Sequence, residues 1–246
     1  MPCCTLRGSP APSAARARGA GRLRDAREAA ERGGVAAVAA AGRRPGAPRV
    51  HRAGVGVDNV DVPAATQRGV LVVNSPEGNT IAAAEHALAM MLTLSRHIPQ
   101  AHGGMRAGKW DRKKFVGNEL YKKTLGVVGL GKIGSHVARV AQAMGMEVIA
   151  YDPFIATDRA QRMQVKLLEL DELFRTADYV TLHIPRTKDT ENLVNAELLR
   201  TMKPTARIVN CARGGVVDEA AIAEAINNGV IAGAGLDVYA SEPLAE

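Results

Sequence analysis

At 246 residues, 46% of them apolar, the chain is long enough for one sizeable α/β domain or two smaller ones. It has no run of about eighteen uncharged apolar residues, so no transmembrane span is expected; its three cysteines, Cys3, Cys4 and Cys211, form neither a disulfide framework nor a metal pattern, so no metal ligand is expected either. The formal charge of +7 does not point to nucleic acid, because residues 1–50 hold ten arginines, no lysine and three acids, while residues 51–246 carry 22 basic and 22 acidic side chains and offer no phosphate-tracking face.

The first fifty residues are dominated by Ala, Arg, Gly and Pro and contain no aromatic side chain. Little there can bury apolar surface, and disorder is expected for 1–50, with Glu28–Ala41 allowing at most a helical turn or two. The acid-free stretch up to Arg24 has the composition of an organelle transit peptide; the reading preferred here is a segment foreign to the natural N-terminal half.

From residue 70 strand and helix alternate. Val70–Val73 reads as a strand and Thr80–His97 as a long helix, with small and apolar residues at helical spacing. The turn-rich Pro99–Lys109 and the basic Arg112–Lys123 follow. Leu125–Val128 is an apolar strand, Gly129-x-Gly131-x-x-Gly134 opens a helix, Glu147–Tyr151 is a second apolar strand, and Asp152 ends it, 18 residues past the last glycine. Each part has a mechanical job in binding an adenine dinucleotide. Gly129 allows the tight turn, Gly131 lets the backbone approach a pyrophosphate, and Gly134 lets helix and strand pack closely. The helix N-terminus, with Lys132 and Ile133, attracts the phosphates. Asp152 is placed to accept hydrogen bonds from ribose hydroxyls; its charge repels a 2′-phosphate and no arginine stands beside it, which favours NAD over NADP.

Beyond Asp152 the pattern predicts a helix near Asp158–Met163, a strand at Val165–Leu167, a helix around Leu170–Thr176 and the strand Tyr179–Ile184. A helix at Asn195–Met202, the strand Arg207–Cys211, a helix at Asp218–Asn228 stopped by Gly229, and the strand Ile231–Val238 complete it. Strands separated by helices of this length imply an α/β fold, a doubly wound parallel sheet of the Rossmann kind.

A series of local sequences over residues 51–246 resembles the D-isomer-specific 2-hydroxyacid dehydrogenase family. They are Arg52–Asn59, Gly129–Gly134, Tyr151–Pro153, His183–Pro185, Asn210–Glu219 and Leu236–Pro243. The resemblance implies NAD as cofactor and a small 2-hydroxy acid as partner, with a hydride removed from C2. It further implies Arg213 as the arginine that holds the substrate, Glu242 as the carboxylate that orients and raises the pKa of a catalytic histidine, and Asp237 as the carboxylate meeting the nicotinamide carboxamide. Ile184, Cys211 and Ala212 fall at strand ends near the cofactor crevice. Gly54 and Gly56 belong to a glycine-rich turn, where Arg52 resembles a substrate-phosphate contact and Val55 neighbours the nicotinamide. Gly214-Gly215, after Arg213, is read as freeing the backbone for close ligand approach.

Within the family, Gly108–Phe115 and Asn210–Arg213 are most similar to the branch that oxidises 3-phosphoglycerate at the entry to serine synthesis. That places the protein in the cytoplasm or in a plastid without choosing between them. The alternatives are a non-catalytic NAD-binding or sensing protein, and a relative acting on lactate, glyoxylate or formate. Pairing in the family implies a homodimer through residues 80–123, with Met90, Met91, Leu92 and Leu94 as an apolar face, against the plainer reading of a core helix on its own sheet. None of the six histidines stands where the family's catalytic one does: His183 reads as structural or ribose-proximal, and His51, His86, His97, His102 and His136 suit loop or helix-surface positions. The family's Pro-His motif lies beyond the Glu-Pro pair and the sequence stops four residues after Glu242, so a truncated form is expected. On this reading 51–74 is a remnant of a substrate domain and 75–246 the NAD-binding domain.

Overall fold

The computed structural model describes residues 49–52, 56–57, 60–75 and 77–243, in two units, Met1–Gly78 and Asn79–Glu246. The expected disorder of the N-terminal segment, the turns at Glu28–Ala41, and the site candidates Gly54 and Val55 lie outside the described residues.

The described part of the first unit is a small strand–helix–strand element. Strand β1 (Arg49–Arg52) runs parallel to β2 (Leu71–Asn74), with Arg49 opposite Leu71 and Arg52 opposite Asn74. Between them lies α1 (Val62–Gln67), whose start is set by Asp61, which accepts the Ala64 N–H at 2.8 Å, and by a proline in its first turn. Ala65 and Val70 are buried, with Val50, Val60 and Val72 packed on them. Arg52 is exposed and its Nε donates to the Gly56 carbonyl at 3.2 Å.

The second unit opens with α2 (Thr80–Arg96) and α3 (Ile98–Arg106) and a 3-10 turn at Arg112–Phe115. It continues with β3 (Thr124–Val128), α4 (Lys132–Ala143), β4 (Glu147–Tyr151), α5 (Thr157–Arg162), β5 (Lys166–Leu167), α6 (Leu170–Thr176) and β6 (Tyr179–Leu182). Helix α7 (Ala196–Arg200), β7 (Arg207–Asn210), α8 (Glu219–Asn227) and β8 (Gly233–Leu236) complete it. The strands form one sheet in the order β5-β4-β3-β6-β7-β8, and every neighbouring pair is parallel. This is the doubly wound sheet expected, and its order reverses between β3 and β6.

Alternation along each strand sends side chains to both layers. Leu125, Val127, Val148, Ala150 and Val209 pack under α2 and α4, with Met91, Val137 and Ala141. Val128, Ile149, Val180, Leu182 and Ile208 pack on the other face, against Leu173 and Phe174 of α6, Leu198 of α7 and Ile222 of α8. Two polar groups in these layers are satisfied internally: the Ser95 hydroxyl donates to the Met91 carbonyl at 2.7 Å and lies 2.9 Å from the Tyr179 hydroxyl.

Three expectations need correction. Pro99–Lys109 is not a loop: His97 takes a left-handed conformation (φ 52°) that ends α2, and Pro99, placed in the first turn, starts α3. Met90, Met91 and Leu94 do not form an outward face, because Met91 is fully buried and the other two lie over Gly235 of β8; of the four, Leu92 alone is exposed. Other exposed large apolar side chains of this region are Ile81, Ile98, Met105, Trp110, Val116 and Tyr121. The last strand is also shorter than Ile231–Val238, since its partner β7 offers four residues to pair with.

Candidate functional site

The loops following β3, β6, β7 and β8 leave the sheet at its carboxyl edge, around the point where strand order reverses, which is where open parallel sheets bind ligands. Gly129 leaves β3 at φ 94°, and a Cβ there would stand 2.7 Å from the His183 carbonyl oxygen and 2.8 Å from Ile184 Cγ2. Ile184 is thus brought against the glycine turn. A Cβ on Gly134 would collide with the Gly129 carbonyl, so the close packing Gly134 allows is that of α4 on the glycine turn itself. Gly131 differs. It stands before Lys132, the first residue of α4, has no side-chain capping bond, and a Cβ on it would meet nothing within 4 Å. Open space beside the amide-bearing first turn of a helix suits an anion.

Asp152 closes this part of the site from β4. One oxygen accepts the Leu130 N–H at 2.8 Å and the other the Phe154 N–H at 2.9 Å, so the carboxylate is aligned by the glycine loop itself. Beyond it lies a depression of about 390 Å³ lined by Tyr151, Asp152, Pro153, Leu167, Leu168 and Glu169, among others.

The other loops meet through Asn210, which is buried at the end of β7. Its side chain accepts the Ala212 N–H and donates to the Arg213 carbonyl, both at 3.0 Å, while its own carbonyl accepts the Asp237 N–H at 3.0 Å. The Arg213 guanidinium donates to the Ala212 carbonyl at 2.7 Å, and Glu242 accepts the Tyr239 N–H at 3.0 Å. Gly214 and Gly215 meet a packing need of the protein itself: a Cβ on Gly214 would overlap the Tyr239 backbone, and Gly215, at φ 75°, lies under the Arg186 guanidinium. Asp237 and Cys211 come together with His86 of α2, whose Nε2 is 3.0 Å from Asp237 Oδ1. Burial, and then the Asp237 carboxylate, push the Cys211 thiol up to about 12. Burial takes His183 down to about 4, which favours the neutral ring, and its Nε2 lies 3.0 Å from the Thr181 hydroxyl.

Four contributors were not anticipated as part of the site. Asn210 and Ser135 hold loops through side-chain-to-backbone bonds, Ser135 Oγ donating to the Leu130 carbonyl at 2.8 Å. Their signal is local, since Asn and Ser make such turns wherever the chain bends. Arg186 and His86 act across long sequence separations and carry no local signal.

A family model described as D-isomer specific 2-hydroxyacid dehydrogenase, NAD binding domain, matches residues 88–246. The chain belongs to this family. All of the dehydrogenase site candidates except Arg52, Gly54 and Val55 lie in that stretch. Relatives include D-3-phosphoglycerate dehydrogenases from Synechocystis sp., 65% identical over 197 residues, and from Archaeoglobus fulgidus, 54% identical over 194 residues. Each match takes in about four-fifths of this chain (80% and 79%) and little more than a third of the relative (36% and 37%), so the chain spans about a third of the length of these curated dehydrogenases. Among solved structures, the pyruvate reductase of Chlamydomonas reinhardtii superposes with a TM-score of 0.73 at 37% identity, covering 79% of this chain and 57% of that one. A D-lactate dehydrogenase from Aquifex aeolicus, complexed with NAD and lactic acid, gives 0.72 at 35% identity, covering 79% and 58%. The domain of this family that binds NAD is therefore the one present here, and the open Gly131 cradle beside Asp152 fits that coenzyme.

Proposed function

We propose that the chain supplies the coenzyme-binding part of a D-3-phosphoglycerate dehydrogenase, which oxidises 3-phosphoglycerate to 3-phosphohydroxypyruvate with NAD. The observation that carries this reading is the uncluttered space at Gly131, at the start of α4 and beside an aligned Asp152, in a chain 65% identical to such an enzyme over four-fifths of its length.

NAD, when bound, accepts the C2 hydride. The residues divide the remaining work. Gly129, Gly131 and Gly134 shape the turn that admits the pyrophosphate, with Lys132 and Ile133 in the first helical turn behind it. Asp152 takes the ribose hydroxyls, and the depression beyond it has room for the adenine. Ile184, Cys211, Ala212 and Asp237 face the nicotinamide end, Asp237 accepting from the carboxamide. Arg213 holds the substrate carboxylate and adjacent oxygen with its planar donor fork. Arg52 and Gly54 are assigned to the substrate phosphate and Val55 to the nicotinamide, on the resemblance alone. Glu242 is assigned to orient and raise a catalytic imidazole.

Calorimetry with NAD on the purified chain tests the reading, and absence of binding by a folded sample refutes it. Asp152→Ala is expected to weaken NAD about 10- to 100-fold, the worth of charged hydrogen bonds, while leaving NADP affinity less affected. Equal losses for both would show that Asp152 does not read the 2′ position. A second reading, an NAD-binding or sensing protein without turnover, uses the same coenzyme site. Easily measured NADH formation from 3-phosphoglycerate would exclude it, and a substrate panel separates lactate, glyoxylate and formate.

We also propose that two copies pair through α2 and the arm that follows, where Ile98, Met105, Trp110, Val116 and Tyr121 are exposed. Light scattering is expected to give a dimer mass, and a monomer at micromolar concentration would refute it.

A further inference from the structure

We infer that His86, Cys211 and Asp237 form a site for a thiophilic divalent cation, Zn²⁺ in the first instance, and that this ion and the dinucleotide exclude one another; the exclusion rests on the coenzyme reading above.

The three residues come from α2, the end of β7 and the end of β8, all within the second unit. One ligand atom of each, an imidazole nitrogen, a sulfur and a carboxylate oxygen, lies within 4.8 Å of the other two, and His86 Nε2 is 3.0 Å from Asp237 Oδ1. A mixed nitrogen, sulfur and oxygen set suits zinc, whereas Mg²⁺ and Ca²⁺ require oxygen donors. Tetrahedral zinc, with bonds of about 2.0–2.3 Å, places its ligand atoms roughly 3.3–3.8 Å apart, so the set closes by side-chain movements of about 1 Å. The His86 and Asp237 side chains are 48% and 46% exposed, while Cys211 is half-buried beneath them. That arrangement gives the ion an entry path and leaves a fourth position to water.

A thiol held beside a carboxylate keeps its proton at neutral pH, so binding must displace it. The S–H bond breaks, the proton passes to solvent, and the sulfur electron pair forms the Zn–S bond. The carboxylate that disfavours the thiolate is neutralised by the same ion, which offsets the cost of deprotonation. One proton leaves per ion, and affinity rises about tenfold per pH unit. Cys211 and Asp237 are also assigned to the nicotinamide end, and an Asp237 oxygen that ligates zinc is not available to the carboxamide. Cysteine spacing alone does not reveal this site, because its donors are far apart along the chain and only the parallel sheet brings them together.

The test is a zinc titration by calorimetry on the full chain in a Cys3→Ser/Cys4→Ser background, without coenzyme. Cys211→Ser and His86→Gln are each expected to weaken zinc at least about tenfold, and the parent is expected to release one proton per ion. Circular dichroism checks the fold of both variants, and His86→Gln, at a half-exposed position, keeps the test decisive if Cys211→Ser unfolds. Zinc bound as tightly by the folded variants as by the parent overturns the site. Zinc is further expected to raise the apparent Kd for NAD in the parent; an unchanged Kd with the ion bound overturns the exclusion. If NAD fails to bind the zinc-free chain at all, the coenzyme reading falls, and the zinc isotherms still decide the metal site.

Discussion

Gly134→Ala is expected to destabilise the protein by about 2–3 kcal/mol, the cost of overpacking a dense site, and to weaken NAD by at least about 100-fold, the effect of misplacing a binding element by an ångström. The added methyl would land on the Gly129 carbonyl oxygen. That carbonyl has nowhere to go: the Gly129 N–H is bonded to the Tyr151 carbonyl at 2.8 Å, and the residue already sits tightly against His183 and Ile184. The start of α4 must move instead, taking its phosphate-facing amides with it. Gly131→Ala provides the contrast, because its methyl would meet nothing within 4 Å. It should leave the urea midpoint unchanged and weaken NAD, since it fills the space the pyrophosphate requires. A Gly131→Ala variant that binds NAD normally would remove the glycine turn from the coenzyme site.

That pair of glycines illustrates how much of this site is legible in local sequence. The strand–turn–helix unit around 124–152 follows from local rules: an apolar run, glycines at fixed spacing, a helix, a second apolar run and an acid. The same holds for the sheet, whose strands are buried on both faces and therefore nearly continuous apolar runs. Legibility failed where an outcome depended on partners distant in sequence. The Met90, Met91 and Leu94 face looks the same in sequence whether it meets another copy or its own sheet, and Gly235 lets β8 take two of those side chains. Gly214 needs no side chain because Tyr239 passes over it. His86 became part of the site because α2 packs against β7 and β8. Helix α3 is hidden for a different reason: Pro99 and the glycines that follow make Pro99–Lys109 look turn-rich, although a proline in the first turn favours a helix.

Acidification offers a second large effect, traceable to one ring. His183 titrates near 4 in the folded protein because burial disfavours its charged form, against an ordinary value of 6.5. Between those two values the unfolded chain takes up a proton that the folded chain refuses. This contribution to stability is therefore undiminished above about pH 6.5, declines as the pH falls by at most about 1.4 kcal/mol per unit, and levels off below about pH 4, for a total of up to about 3 kcal/mol. Asp178 does not intrude on this window. Burial raises its pKa, but the Thr124 N–H and the Lys203 ammonium more than offset that and hold it below the ordinary 3.8, so its stabilisation is lost only at lower pH. The measurement is a urea midpoint for wild type and His183→Asn at about pH 7 and about pH 4.5. Wild type should lose more stability than the variant across that interval, because asparagine can bond to the Thr181 hydroxyl without titrating. Parallel losses in the two proteins would mean that the His183 ring reaches water and charges freely. In that case a cation would stand directly beside the glycine turn, and the neutral state assigned to His183 would be wrong.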